Sequence, residues 1–205
     1  HYLLDARSPF GSQATTIATA FDRLQPRLLV PCDDGAFDLL RAIHAAPLPG
    51  VPGPVGDGLR RLIELSLGDP AGYAASVDKL QFALRVRELG LDAPAAIVTH
   101  DVAEAQAFAA GAGYPVVLKR SFSFGGRGVA VCADDAELAV HFARLTAAPA
   151  ASRRLLVQQH VPGTTWYVNA LAWNGELLCS HAVEKVEGIA RGPATVVRYS
   201  HHAVM

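Results

Sequence analysis

Two periods of hydrophobic and polar positions organise the chain. Apolar residues recur at three- and four-residue spacing in Ala14–Leu24, where Ile17, Phe21 and Leu24 share a face, and this predicts an amphipathic helix. Arg27–Pro31 is a short apolar run closed by proline and predicts a buried strand, and Tyr2–Leu4 before it predicts a short strand. Helices are predicted at Ala36–Ala45 with Asp34 as N-cap, at Leu59–Leu67, and at Leu80–Leu89 with Ser76 as N-cap and Gly90 beyond its end. Between the second and third, Pro47–Gly58 holds four prolines and four glycines, which reads as a linker or surface loop. From Ala96 onward strands dominate. Ala96–Val98, Val116–Leu118, Val129–Val131, Leu155–Val161, Trp166–Trp173, Leu177–Val183 and Thr195–Tyr199 are predicted as strands. Two helices interrupt them, Val102–Ala112 capped by Asp101 and Ala136–Thr146 capped by Asp134 or Asp135, with a loop at Pro149–Ser152. Asn174-Gly175 joins two of the strands and is the strongest short hairpin signal in the chain.

This order gives a mixed class. A small parallel α/β layer comes first, over roughly residues 1–75, and an α+β region follows from 76 to 205. Asp33 and Asp34 lie beyond the carboxyl end of the Arg27–Pro31 strand, where such sheets gather ligands, and also where a turn and helix cap are needed.

The densest chemistry lies between the strands Val116–Leu118 and Val129–Val131. Lys119 and Arg120 end the first strand, and Ser121 to Gly128 form a loop of small residues with Gly125, Gly126 and Gly128. Glycines permit positive φ and let bare N–H groups approach an anion. Ser121 and Ser123 add hydroxyl donors, and Lys119 adds a point charge for phosphate oxygens. The loop does not end in Gly-Lys-Ser/Thr, and a strand rather than a helix follows it. That argues against a P-loop and against a dinucleotide-binding turn. A strand–loop–strand flap over a polyphosphate fits, and so does a glycine-rich hairpin without a ligand. Lys79 opens the helix that follows Ser76, where the helix dipole disfavours a cation and an anionic partner would explain it. Lysine is rare here: Lys79, Lys119 and Lys185 are the only three.

Composition narrows the function classes. Net charge is −1 and 18% of residues are charged, so there is no electrostatic case for nucleic acid or an anionic membrane. No apolar run approaches the ~20 residues of a membrane span. Cys32, Cys132 and Cys179 are few and far apart, without CxxC spacing, which favours reduced thiols and a cytoplasmic setting over a disulfide framework or zinc site.

In order and spacing these features resemble the ATP-grasp enzymes. Ser76-Val77-Asp78-Lys79 is similar to that family's first nucleotide lysine, and Gly113–Lys119 to its second-lysine strand. Ser121–Val129 resembles its glycine flap, and Leu155–Gly163 the hinge strand. The resemblance implies a partial Rossmann-like domain over 1–75, then an incomplete ATP-grasp domain over 76–205 with residues 114–157 as its lid. It implies ATP between two lobes, with Lys79, Lys119, Ser121, Ser123, Gly125, Gly126 and Gly128 around the phosphates. Backbone groups of Gln158, Gln159, His160 and Val161 would pair with adenine.

Many relatives carry glutamate where this chain has Gln158 and Thr165. The family's magnesium carboxylates are expected beyond Met205, with no metal site inside the fragment and catalytic residues unassigned. The implied activity is that of an ATP-dependent ligase, activating an unidentified small-molecule carboxylate as an acyl phosphate for attack by an amine or similar nucleophile, with an oligomer open. A nucleotide-binding regulatory or structural module without chemistry is the alternative. Among weaker candidates, Arg191 and Arg198 could clamp an anion or stand on the surface, Glu184 and Glu187 could approach phosphates or stay solvated, and adjacent His201 and His202 make a poor chelate.

Overall fold

The computed structural model describes residues 5, 7–123, 126, 128–147, 154–188 and 194–200. The predicted strand Tyr2–Leu4, the loop Pro149–Ser152 and the candidates Gly125, Arg191, His201 and His202 lie outside them. The chain divides into two compact units, His1–Tyr73 and Ala74–Met205.

The first unit is helical over its described residues. Helices α1 (Phe10–Leu24), α2 (Asp34–Ala45) and α3 (Gly53–Leu67) surround a core of Ala14, Ala18, Leu40, Ile43, Leu59 and Ile63, closed by Tyr73. Helix α2 is capped by Asp33, not Asp34. Asp33 takes the extended backbone an N-cap needs and its carboxylate accepts from the Ala36 N–H at 2.7 Å. Helix α3 begins inside the expected linker, because a proline in the first turn forfeits only an N–H that has no helical partner. Its Gly58 makes a close crossing possible: a Cβ there would stand 2.9 Å from the Phe21 ring of α1.

Arg27–Pro31 does not form the predicted strand. The Leu29 N–H donates to Ser66 Oγ, and Leu28 and Val30 remain exposed. A strand needs a ladder partner, and none pairs with this run among the described residues. The expected parallel layer is therefore absent from them; every described strand pair is antiparallel.

The second unit holds two sheets. Strands β1 (Ala96–Thr99), β2 (Val116–Arg120), β3 (Val129–Cys132) and β4 (Leu155–Gln159) pair in the order β1-β4-β2-β3. Period-two alternation divides their side chains between two faces. Val116, Leu118, Ala130, Cys132, Leu155 and Val157 face a core completed by Ala105 and Ala109 of α6 (Val102–Ala112) and Leu138, Phe142 and Leu145 of α7 (Asp135–Thr146). Residues of the opposite parity, among them Lys119, Leu156 and Gln158, face a cavity walled by another helix.

That helix is α5 (Lys79–Glu88), preceded by the single turn α4 (Tyr73–Val77). Its cap is Asp78, whose carboxylate accepts from the N–H groups of Leu80 and Gln81; Ser76, the predicted cap, lies inside α4. The second sheet is a meander of β5 (Trp166–Trp173), β6 (Glu176–Gly188) and β7 (Ala194–Ser200). Asn174 and Gly175, at φ 49° and 82°, form its first turn with the twist that two-residue hairpins prefer. No helix among the described residues is long and apolar enough to cross a membrane.

Candidate nucleotide-binding site

The register of the first sheet brings the candidate residues together. Lys119 pairs with Val129 on one side and Leu156 on the other, while Gln158 pairs with Val117 and Ala96. Lys119 and Gln158 are therefore diagonal neighbours on one face, within reach of long side chains. The Lys119 ammonium donates to the Gln158 side-chain oxygen. From the helix opposite, Lys79 reaches the same space, and all three residues line a cavity of about 880 Å³. That volume lies within the range usual for small-molecule sites.

The charge of this cavity is positive. Among the described residues, Lys79, Arg87, Lys119 and Arg154 line it with a single carboxylate, Asp92. Burial, and then the neighbouring charge of Lys79, push the Lys119 amine below the ordinary lysine range. An anion would relieve both effects. The rest of the wall is apolar, with Phe82, Leu91, Val98 and Leu156 among its residues.

The flap root is fastened to α5. The Lys79 N–H donates to the Ser121 carbonyl at 3.1 Å, and its ammonium donates to the Ser123 carbonyl at 2.6 Å and lies 3.2 Å from the Ser123 hydroxyl. The loop closes on itself through Arg120 N–H to Gly128 carbonyl at 2.8 Å and Val129 N–H to Gly126 carbonyl at 3.1 Å. Gly126 uses a φ of 77°. Gly128 is required for space: a Cβ there would meet the Ser123 Cβ at 2.4 Å and the Arg120 Cβ at 3.1 Å.

Other predicted residues stand apart from the cavity. Ser121 is buried, and neither it nor Ser123, Gly126 or Gly128 lines the cavity wall. Gln159 points away from it, and its N–H is held by the Ala95 carbonyl at 2.9 Å, so that amide is not open to a base edge. His160 and Val161 follow the ladder's end and do not line the wall. Glu184 and Arg198 form an ion pair with each other at 3.1 Å across β6 and β7. Among the described residues no group of three His, Cys, Asp or Glu is placed to hold a metal ion.

Sequence reasoning missed Phe82, Arg87, Leu91 and Arg154. A signal existed in α5, where Phe82, Leu84 and Val86 do not gather on one stripe as a core-packing helix requires. Phe82 and Leu91 are both 59% exposed at the cavity.

Comparison with solved structures places the fold. The biotin carboxylase domain of Hydrogenobacter thermophilus 2-oxoglutarate carboxylase, crystallised with MgADP, ADP and bicarbonate, superposes with a TM-score of 0.57 at 21% identity, over 79% of this chain and 34% of that one. D-alanyl-alanine synthetase A of Vibrio cholerae superposes at 0.53 and 21% identity, over 68% of this chain and 44% of that one. The chain thus has the fold of these ATP-grasp structures over the superposed residues. Within it, residues 78–165 match the family described as the carbamoyl-phosphate synthase L chain, ATP binding domain. The carbamoyl phosphate synthase large chain of Archaeoglobus fulgidus is 32% identical over 125 residues, and the arginine-specific large chain of Cutaneotrichosporon cutaneum 30% over 132. The matches take in 61% and 63% of this chain but 11% of each relative.

Proposed function

We propose that the cavity between α5 and the first sheet binds the polyphosphate of ATP, and that the chain is the ATP-binding portion of a ligase. That ligase activates a carboxylate, or bicarbonate, as an acyl phosphate for attack by an amine or similar nucleophile. The single observation that carries the binding assignment is the convergence of Lys79 and Lys119 on one cavity from different elements. Two cations held close together in a partly desolvated space repel each other unless an anion joins them. The reaction class is supported by the likeness to carbamoyl phosphate synthase large chains and by a fold neighbour crystallised with MgADP and bicarbonate.

In this reading Lys119 and Lys79 hold phosphate oxygens, and the apolar wall carrying Phe82 and Leu91 excludes water. The N–H groups of the flap gain a role when Lys79 exchanges the Ser123 carbonyl for phosphate. ATP supplies the phosphoryl group; phosphoryl transfer draws mainly on positioning and charge neutralisation, which these residues provide. The described residues offer magnesium no three-ligand group, so no step is assigned to it. Base recognition is assigned to the backbone of His160 and Val161, beyond the ladder. The free thiols of Cys32, Cys132 and Cys179 support a reducing, cytoplasmic setting.

Calorimetric titration with ATP, with and without magnesium, tests the assignment beside a phosphate-release assay containing bicarbonate. Charge-assisted hydrogen bonds contribute about 1.5–3 kcal/mol, so Lys119→Ala should weaken ATP binding by roughly one to two decades. Absence of binding at millimolar ATP overturns the reading. Binding without phosphate release fits an ATP-binding portion whose described residues carry no metal-holding group.

A further inference from the structure

Lys119 is held by an amide. Its ammonium donates to Gln158, a neutral acceptor that orients the cation without cancelling it. The influences on the Lys119 amine are burial and the charge of Lys79, with no carboxylate among them. The charged groups facing it come from every side of the cavity: Lys79 and Arg87 on α5, Asp92 before β1, and Arg154 before β4. Among the described residues only Asp92 is acidic, while β1 and β3 present apolar side chains there.

We propose that Gln158 is a specificity-determining residue: its neutral side chain fixes Lys119 in the cavity while leaving the charge available, so that ligands are ranked by the negative charge of their phosphates. The inference rests on the nucleotide reading and deepens it. A carboxylate at position 158, on the same side of β4, would sit within hydrogen-bond reach of Lys119 and neutralise it. Polyphosphate would then have to displace that partner. Because the Lys119 proton is already held less firmly than in an ordinary lysine, affinity for ATP is present at lower pH and is lost as pH rises through that lowered value. The glutamate variant should hold the proton to higher pH.

Two measurements on the full chain test this. The first is an affinity series of adenosine, AMP, ADP and ATP without magnesium, for the wild type and Gln158→Glu. In the wild type affinity should climb with each phosphate. In Gln158→Glu the ATP-to-adenosine ratio should shrink about tenfold or more, while adenosine stays within about twofold. The second needs no ligand. With three lysines in the chain, amine-labelled NMR resolves each one, and Lys119→Arg assigns its signal. The Lys119 signal should titrate below the ordinary lysine range in the wild type and move upward in Gln158→Glu.

Equal weakening of all four ligands, or an unchanged ratio, overturns the role of Gln158 and leaves the nucleotide site standing. An unmoved Lys119 titration in a folded Gln158→Glu does the same. If the wild type binds none of the four ligands, the proposed function falls and this selectivity falls with it.

Discussion

Gly128→Ala isolates the geometry of the flap. The added methyl carbon would lie 2.4 Å from the Ser123 Cβ and 2.5 Å from its hydroxyl oxygen, well inside contact distance. Rotating the Ser123 side chain cannot relieve this, because the Cβ itself is struck; the backbone of one strand of the loop must move. The Arg120 Cβ, 3.1 Å away, blocks retreat toward β2. Inserting a methyl group into packed surroundings costs about 1–3 kcal/mol, which for a unit of this size is a Tm decrease of roughly 3–10 °C. Displacing Ser123 also disturbs the carbonyl that receives the Lys79 ammonium, so ATP affinity should fall with stability. Both tryptophans, Trp166 and Trp173, belong to the second unit, so tryptophan fluorescence reports its unfolding alone. Removing the struck atoms by Ser123→Gly in the Gly128→Ala background should recover most of the loss. A Gly128→Ala protein whose Tm lies within 1 °C of the wild type, or whose loss is untouched by Ser123→Gly, would refute the reasoning.

Two further outcomes follow from buried or shifted groups. Thr99 is 2% exposed; its hydroxyl donates to the Glu104 carboxylate and accepts from the Asp101 N–H at 3.0 Å. Thr99→Val should therefore destabilise the second unit by about 1–3 kcal/mol in urea, with Thr99→Ser close to the wild type. Burial, and then a hydrogen bond to Asp135, raise the Tyr114 phenol above its ordinary value of 10.0. The unfolded chain releases that proton first, so this stability contribution is full below pH 10 and is lost as pH rises above it. Tyr114→Phe should flatten the fall in urea midpoint between pH 10 and 11, and an unaltered fall would count against it.

The sequence by itself determined what depends on near neighbours. Asp101 caps Val102–Ala112, Asn174-Gly175 turns the hairpin, and the strands Val116–Arg120 and Val129–Cys132 flank a glycine loop, because each needs only local backbone chemistry. Lys79 and Lys119 were legible for a related reason: a cation in a helix's first turn and a cation before a glycine loop are locally conspicuous. Arg27–Pro31 shows the limit. Its composition suits a strand, but a strand is made by its partner, and Leu29 spends its N–H on Ser66, far along the chain. Capping by Asp33 and Asp78, one residue before and two after the predicted caps, was decided by which carboxylate met the first-turn N–H groups once the backbone had bent. Only the tertiary structure placed Gln158 beside Lys119, since their meeting depends on the register between β2 and β4. It alone built the cavity wall from Phe82, Leu91 and Arg154, residues that carry no motif and acquire a role only by facing the two lysines.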